Sequence, residues 1–224
     1  MSGPEPAVRA DARRNRQAIL ATARQVFAEQ GIHASLDEIA QRANVGNATL
    51  YRHFGSRCQL VAAALSEQME RYAEMAAAAA AEPDPWNALR GYLTSLCRMQ
   101  ATDRGLADLL TSDAFPDVAI DAARDNARRD VVRTIRRAQD AGTLRADFAP
   151  QDILIILMAN AGLVHRAGAR AQDSSARLIA LLLDGLQAAA ATPAPPPPAE
   201  SELLTLMQVE RQSELQGQPK VSST

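Results

Sequence analysis

Residues 47–54 read Asn-Ala-Thr-Leu-Tyr-Arg-His-Phe, which places an amide, two hydroxyls, a guanidinium and an imidazole within eight positions. Coiled as a helix, the segment turns Leu50 and Phe54, four apart, toward one side together with Val45. Asn47, Ala48, Thr49, Tyr51, Arg52 and His53 are left around the rest. Such a face has no nucleophile–base pair and no metal-ligand spacing. It is suited to hydrogen bonding with phosphates and base edges in a DNA major groove. A plainer alternative stands beside each residue: Tyr51 as a half-buried packing residue, and His53 as a cover for Phe54. Thr49 is a poor mid-helix choice on propensity, which favours a contact role there.

Eight residues make too short a helix to persist alone, so its neighbours must orient it. Ser35 followed by Glu38 predicts a capping box, opening a helix with Leu36, Ile39, Ala40 and Ala43 inward and Asp37, Gln41 and Arg42 outward. Asn44-Val45-Gly46 then supplies a sharp turn, and the next helix starts at Gly46 or Asn47. Upstream, residues 11–30 repeat Ala18, Ile19, Val26 and Phe27 at helical spacing, with Gly31 as the C-cap. Downstream, Ser56 caps a long helix through Leu60, Val61, Ala64 and Leu65. The whole reads as a helix-turn-helix domain over residues 10–60. Ser35, Arg42, Gly46 and Arg57 border its outer face. Arg57 is either a phosphate clamp or an ordinary surface charge, and Arg42 faces solvent.

Charge is distributed accordingly. The chain carries −2 overall; its first 60 residues hold eight arginines against five carboxylates, or +3, which leaves −5 for the remainder. A basic front on an acidic body is the asymmetry of a protein that meets phosphate at one end. Arg13, Arg14 and Arg16 either join that contact or solubilise a helix start.

These residues resemble the DNA-binding domain of the tetracycline-repressor (TetR/AcrR) regulators. The likeness covers residues 10–66: Phe-Ala-Glu-Gln-Gly closing a helix, Ser-Leu-Asp-Glu-Ile-Ala, and Val-Gly-Asn-Ala-Thr-Leu-Tyr-Arg-His-Phe-Gly-Ser-Arg. The Thr-Leu-Tyr-x-His-Phe core is far more specific than a generic helix-turn-helix. The resemblance implies that Thr49, Tyr51 and His53 contact DNA backbone or base edges. It further implies that Asn47 and Ala48 approach the bases and that Arg57 holds a phosphate. Gly46 replaces the hydroxyl cap common in these proteins, and Asn47 replaces a charged or longer side chain. As a cap, Gly costs only about a few tenths of a kcal/mol relative to Ser, so operator choice is affected and folding is not.

The rest of the chain is also helical in composition: 47% hydrophobic, with few strand signals. The expected fold class is all-α with about nine helices. Helices are predicted from Ser56 to Ala81, Pro85 to Thr102, Arg104 to Ser112, Pro116 to near Gly142, Pro150 through Val164, and Arg177 to Gln187. The basic run Arg124, Arg128, Arg129, Arg133, Arg136 and Arg137, interleaved with Asp121, Asp125 and Asp130, reads as a solvated stripe. Residues 150–190 are the most apolar, too short and too closely bounded by charge to span a membrane. Apolar residues all round imply burial on more than one face. A homodimer through a two-fold helix-pair interface follows, with Ile153, Ile156, Leu157, Asn160, Val164, Leu178, Leu182 and Leu186 as candidates. The alternative is an intramolecular core alone. The family resemblance agrees with the dimer and implies an unknown small-molecule effector among the middle helices. Candidate lining residues are Tyr92, Leu96, Met99, Leu109, Phe115, Ile120 and Met158, each also explicable as core. Thr-Asp-Arg-Gly-Leu-Ala-Asp-Leu-Leu at residues 102–110 resembles the SbtR-like subclass. An effector and dimerisation domain is thus expected over 61–190, followed by a Pro-rich mobile tail over 191–224. In that tail Leu203, Leu204, Leu206, Met207 and Val209 offer a short amphipathic helix that could dock on the body or a partner.

Nothing in the composition points to catalysis or to a cofactor. Cys58 and Cys97 lack paired spacing, and His33, His53 and His165 are scattered, so no metal site is expected. The single Lys220 leaves arginine to supply side-chain cations near DNA. The chain is expected in a reducing cytoplasm, bound to double-stranded operator DNA as a ligand-responsive repressor. Two alternatives remain: an activator of the same kind, or a helical small-molecule-binding protein whose DNA-binding half is vestigial.

Overall fold

The computed structural model describes residues 6–112, 117–199, 202, 203 and 205. Among these it has nine α-helices and no strand: α1 Pro6–Gln30, α2 Leu36–Arg42, α3 Asn47–Phe54, α4 Arg57–Ala81, α5 Pro85–Thr102, α6 Arg104–Leu110, α7 Val118–Asp140, α8 Pro150–Ala167 and α9 Ala171–Leu186. The all-α expectation and the helix count are met.

Local chemistry sets most of the boundaries. Ser35, Ser56, Asp84, Asp103 and Asp117 each accept a first-turn amide and so cap α2, α4, α5, α6 and α7. Pro85 and Pro150 occupy first-turn positions, where a missing amide costs nothing. Asp152 accepts the Ala149 amide at 2.7 Å, closing the start of α8. Pro116, the expected start of α7, lies outside the described residues.

Helices α1–α3 fold around the first half of α4, and α4 continues into the second half of the molecule, packed along α7. The expected boundary at residue 60 therefore falls inside α4. One hydrophobic cluster runs from Ile19 to Leu183. Helix α5 forms its centre, touching α4, α6, α7, α8 and α9. The basic run on α7 is more than a solvated stripe. Arg137 donates to the carbonyls of Ala80, Glu82 and Pro83 at the end of α4, and Arg124 to those of Leu109 and Ser112 at the end of α6. Terminal carbonyls without intrahelical partners attract such cations.

Helix α9 begins at Ala171, not at Arg177. Gln172, Asp173, Ser174 and Ser175 lack an apolar stripe, yet Ser175 is fully buried. Its hydroxyl donates to Asn160 Oδ1 at 2.7 Å, and Asn160 Nδ2 donates to Gln100 Oε1 at 2.9 Å. A dry polar network thus joins α5, α8 and α9 and makes the polar turn helical. Asn160→Ala is expected to lower unfolding free energy by about 1–3 kcal/mol, because Gln100 and Ser175 lose partners inside the core. A denaturant melt with an unchanged midpoint would contradict this assignment.

The network also draws on the side of α8 expected to face a second copy. Ile153, Ile156, Leu157, Asn160 and Val164 are buried within the protomer. Residues at this spacing share one side of a helix, and α5 and α9 already take that side. The opposite side of α8 presents Ile155, and α9 presents Leu181, 37% and 54% exposed; Leu178, Leu182 and Leu186 are half-buried. Taken whole, Pro150–Leu186 has the length and apolarity of a membrane span. It is folded as two helices separated by a 3-10 turn at Gly168–Arg170 and packed on each other.

Candidate nucleic-acid interface and effector cavity

Helix α3 has little intrinsic stability, and two buried anchors hold it. Leu50 and Phe54 enter the core, and the guanidinium of Arg16 from α1 lies 5.1 Å from the Phe54 ring centre. Asn47 Nδ2 donates to Asp37 Oδ1 at 2.5 Å, tying the first turn of α3 to that of α2. Gly46 caps without a side-chain bond, as its residue type dictates. What remains outside is Gly46, Asn47, Ala48, Tyr51 and Arg52, all exposed, with Thr49 half-buried between them. Tyr51 is 49% exposed on an otherwise polar surface.

The surrounding candidates divide into those facing outward and those engaged in the fold. Ser35 is exposed and its hydroxyl accepts the Glu38 amide at 3.4 Å. The expected return bond from the Glu38 carboxylate is replaced: that group accepts from Gln30 Nε2 at 2.9 Å and pairs with Arg42 at 2.6 Å. Arg42 also pairs with Glu29 at 3.0 Å, an exposed bridge that raises the Arg42 pKa, while Glu29 is held below its ordinary value first by the Gln25 amide and then by Arg42. Arg57 is half-buried, and its Nη1 donates to the carbonyls of Ile32 and Ala34 at 3.1 and 2.6 Å. Burial lowers its pKa from the usual guanidinium value. It is thus built into the loop between α1 and α2, a role no local sequence pattern announces. The His53 ring lies tilted against Phe54 with Nε2 enclosed and unpartnered, which matches the covering role weighed for it.

A second feature lies in the other half. A cavity of about 150 Å³ opens among α4, α5, α7 and α8, lined among others by Tyr72, Tyr92, Arg128, Ile153, Leu157 and Leu203. Of the described residues expected around an effector, only Tyr92 lines it. Leu96, Leu109 and Ile120 are buried in the core instead, and Met99 and Met158 are half-buried away from the lining. Phe115 lies outside the described residues. Periodicity located the apolar faces but not the gap between them, which depends on how far apart the long helices are held. The Tyr92 hydroxyl is buried beside the Tyr72 hydroxyl without a well-formed hydrogen bond, and burial, reinforced by that neighbour, holds its pKa well above the ordinary value. No cluster of metal-ligating side chains occurs among the described residues.

The two halves meet at a close seam. Gly31 ends α1 at φ +90°, and the next amide, Ile32, donates to the Asp108 carboxylate of α6 at 3.0 Å. One turn earlier on α6, a Cβ at Gly105 would lie 3.0–3.2 Å from Phe27 of α1, so only glycine permits this approach without displacement.

Comparison with known proteins gives a consistent picture. Residues 19–64 match the bacterial regulatory proteins of the tetR family, and residues 84–188 match the C-terminal domain of SbtR-like transcriptional regulators. The crystal structure of the TetR transcriptional regulator SCO0520 from Streptomyces coelicolor is 31% identical over 77% of this chain and 98% of that one, with a TM-score of 0.49. A TetR-family regulator from Agrobacterium tumefaciens shares the fold at TM-score 0.54 and 20% identity, covering 79% of this chain and 99% of that one. The HTH-type transcriptional activator FasR of Mycolicibacterium smegmatis is 42% identical over 53 residues, 23% of this chain and 24% of its own length. The chain thus spans about a quarter of that curated relative.

Proposed function

Because the chain belongs to the TetR family of transcriptional regulators, we propose that it is a cytoplasmic, ligand-responsive repressor that binds a palindromic operator as a homodimer. The observation that carries this reading is the outer surface of α3. Leu50 and Phe54 are spent on the core, and Gly46, Asn47, Ala48, Thr49, Tyr51 and Arg52 are turned outward beside Ser35. In this reading the N-terminal turn of α3 enters the major groove. Tyr51 and Thr49 donate to phosphates, and Asn47 and Ala48 approach base edges. Arg42 and Arg57 frame the helix pair, and His53 supports it from behind.

Homodimerisation through α8 and α9 would place two recognition helices on one side of the duplex, one helical turn or a multiple apart. An effector in the Tyr72–Tyr92 cavity would favour a different set of helix spacings. The α1–α6 seam at Gly105 and Asp108 gives that change a route to α3 through α1. The FasR likeness covers 23% of this chain, and the outer face of α3 does not determine whether a bound regulator represses or activates.

Selection of bound duplexes from a random pool tests the proposal. The expected result is an enriched inverted repeat with half-sites about 10 base pairs apart or a multiple of that. Recovery without sequence enrichment would contradict it.

A further inference from the structure

The candidate effector cavity is not simply open. Leu203, from the segment beyond the proline run, is only 2% exposed and forms part of its lining. The path to it is secured at both ends. Where the chain leaves α9, Arg145 Nη2 donates to the Thr192 carbonyl at 2.7 Å, and the Ala188 amide donates to the Thr143 carbonyl at 3.0 Å. The Ala194 amide adds to the Arg145 side chain in holding Asp147 below the usual carboxylate range. At the far end the Ala199 amide donates to the Glu202 carboxylate at 2.9 Å, and the Leu203 amide returns to the Ala199 carbonyl at 3.2 Å. Between these points lie Pro193 and Pro195–Pro198. Such a segment is stiff and extended, rising about 3.1 Å per residue, so it acts as a strut of fixed reach.

We propose that Leu203 is a tethered, displaceable wall of this cavity, so that an effector enters by displacing the chain's own tail; this rests on the reading that the cavity takes the effector. A leucine side chain fills apolar volume but offers no polar atom, and the buried Tyr92 hydroxyl is left with nothing better than the poorly aligned Tyr72 hydroxyl. The displacing molecule is therefore small and largely apolar, with one hydrogen-bonding group for Tyr92. It satisfies what Leu203 leaves unsatisfied, and that difference lets a free ligand compete with a tethered one. The tail sets the threshold concentration at which the regulator responds.

N-phenyl-1-naphthylamine, an uncharged aromatic with one N–H, serves as the fluorescent probe. Its affinity is measured for the full chain, for a chain ended after Ala199, and for Leu203→Asp, with thermal melts confirming that all three fold. The expected result is about tenfold tighter binding to both variants, lost again when Tyr92→Phe is added to the shortened chain. Equal affinity for the full chain and both variants would overturn the proposal. Operator binding by the probe-saturated shortened chain is read separately. If tighter probe binding leaves operator affinity unchanged, the tail seat stands and the effector reading of the cavity fails.

Discussion

Phe54→Ala is expected to remove the DNA-binding surface without touching a residue that faces DNA. The ring is 4% exposed, carries Arg16 on one side and His53 on another, and is one of two buried anchors of an eight-residue helix. Truncating a buried Phe to Ala typically costs about 3–5 kcal/mol through lost burial and the cavity left behind. Leu50 and the Asn47–Asp37 bond would then have to orient α3 without the larger anchor, and an isolated helix of this length is unstable in water. The expected result is a loss of operator binding together with a lowered melting transition. Phe54→Leu, which keeps most of the apolar volume, should recover much of both. A Phe54→Ala protein that melts and binds like wild type would mean that α3 is oriented by something other than this core.

Leu181→Glu is expected to break the dimer. Leu181 is 54% exposed in the protomer, and Ile155 on α8 is the other large apolar side chain exposed there at 37%. Apolar groups left outward on α8 and α9 suit the two-fold surface proposed for a second copy of the chain. Two-fold symmetry counts the substitution twice. Burying one leucine is worth about 1.5–3 kcal/mol, so two carboxylates in place of two leucines should weaken association at least about a hundredfold. Sedimentation equilibrium reads this directly. The protomer fold should persist, because the polar network of Gln100, Asn160 and Ser175 lies on the other side of α8 and α9. An unchanged dimer would place the interface elsewhere.

The two predictions also show where sequence patterns carry information. Caps and breakers act within a few residues, and the starts of α2, α4, α5 and α6 follow from Ser35, Ser56, Pro85 and Asp103. The outer face of α3 was equally readable, because the 3.6-residue period assigns Leu50 and Phe54 inward and the remaining residues outward by elimination. Interactions between distant residues were not readable. Ser175 is helical because it meets Asn160, and Arg137 caps a helix that ends 56 positions earlier. Arg57 and Asp108 likewise serve backbone groups of the loop after α1. Burial of Ile153, Ile156, Leu157, Asn160 and Val164 within the protomer was not readable, because α8 is apolar on both sides and the sequence does not say which side its own protomer claims. The lining of the cavity was not readable for a related reason: a gap is a property of helix spacing, and residue types alone do not encode it.

Binding of operator DNA by Tyr51 and its neighbours on α3 is read by titrating the wild-type protein and Tyr51→Ala against the selected operator duplex at several salt concentrations. Log affinity should fall linearly with log salt. Tyr51→Ala should lose about 1–3 kcal/mol, roughly ten- to a hundredfold, with an unchanged thermal melt. A salt-independent affinity, or a Tyr51→Ala protein that binds as tightly as wild type, would contradict it.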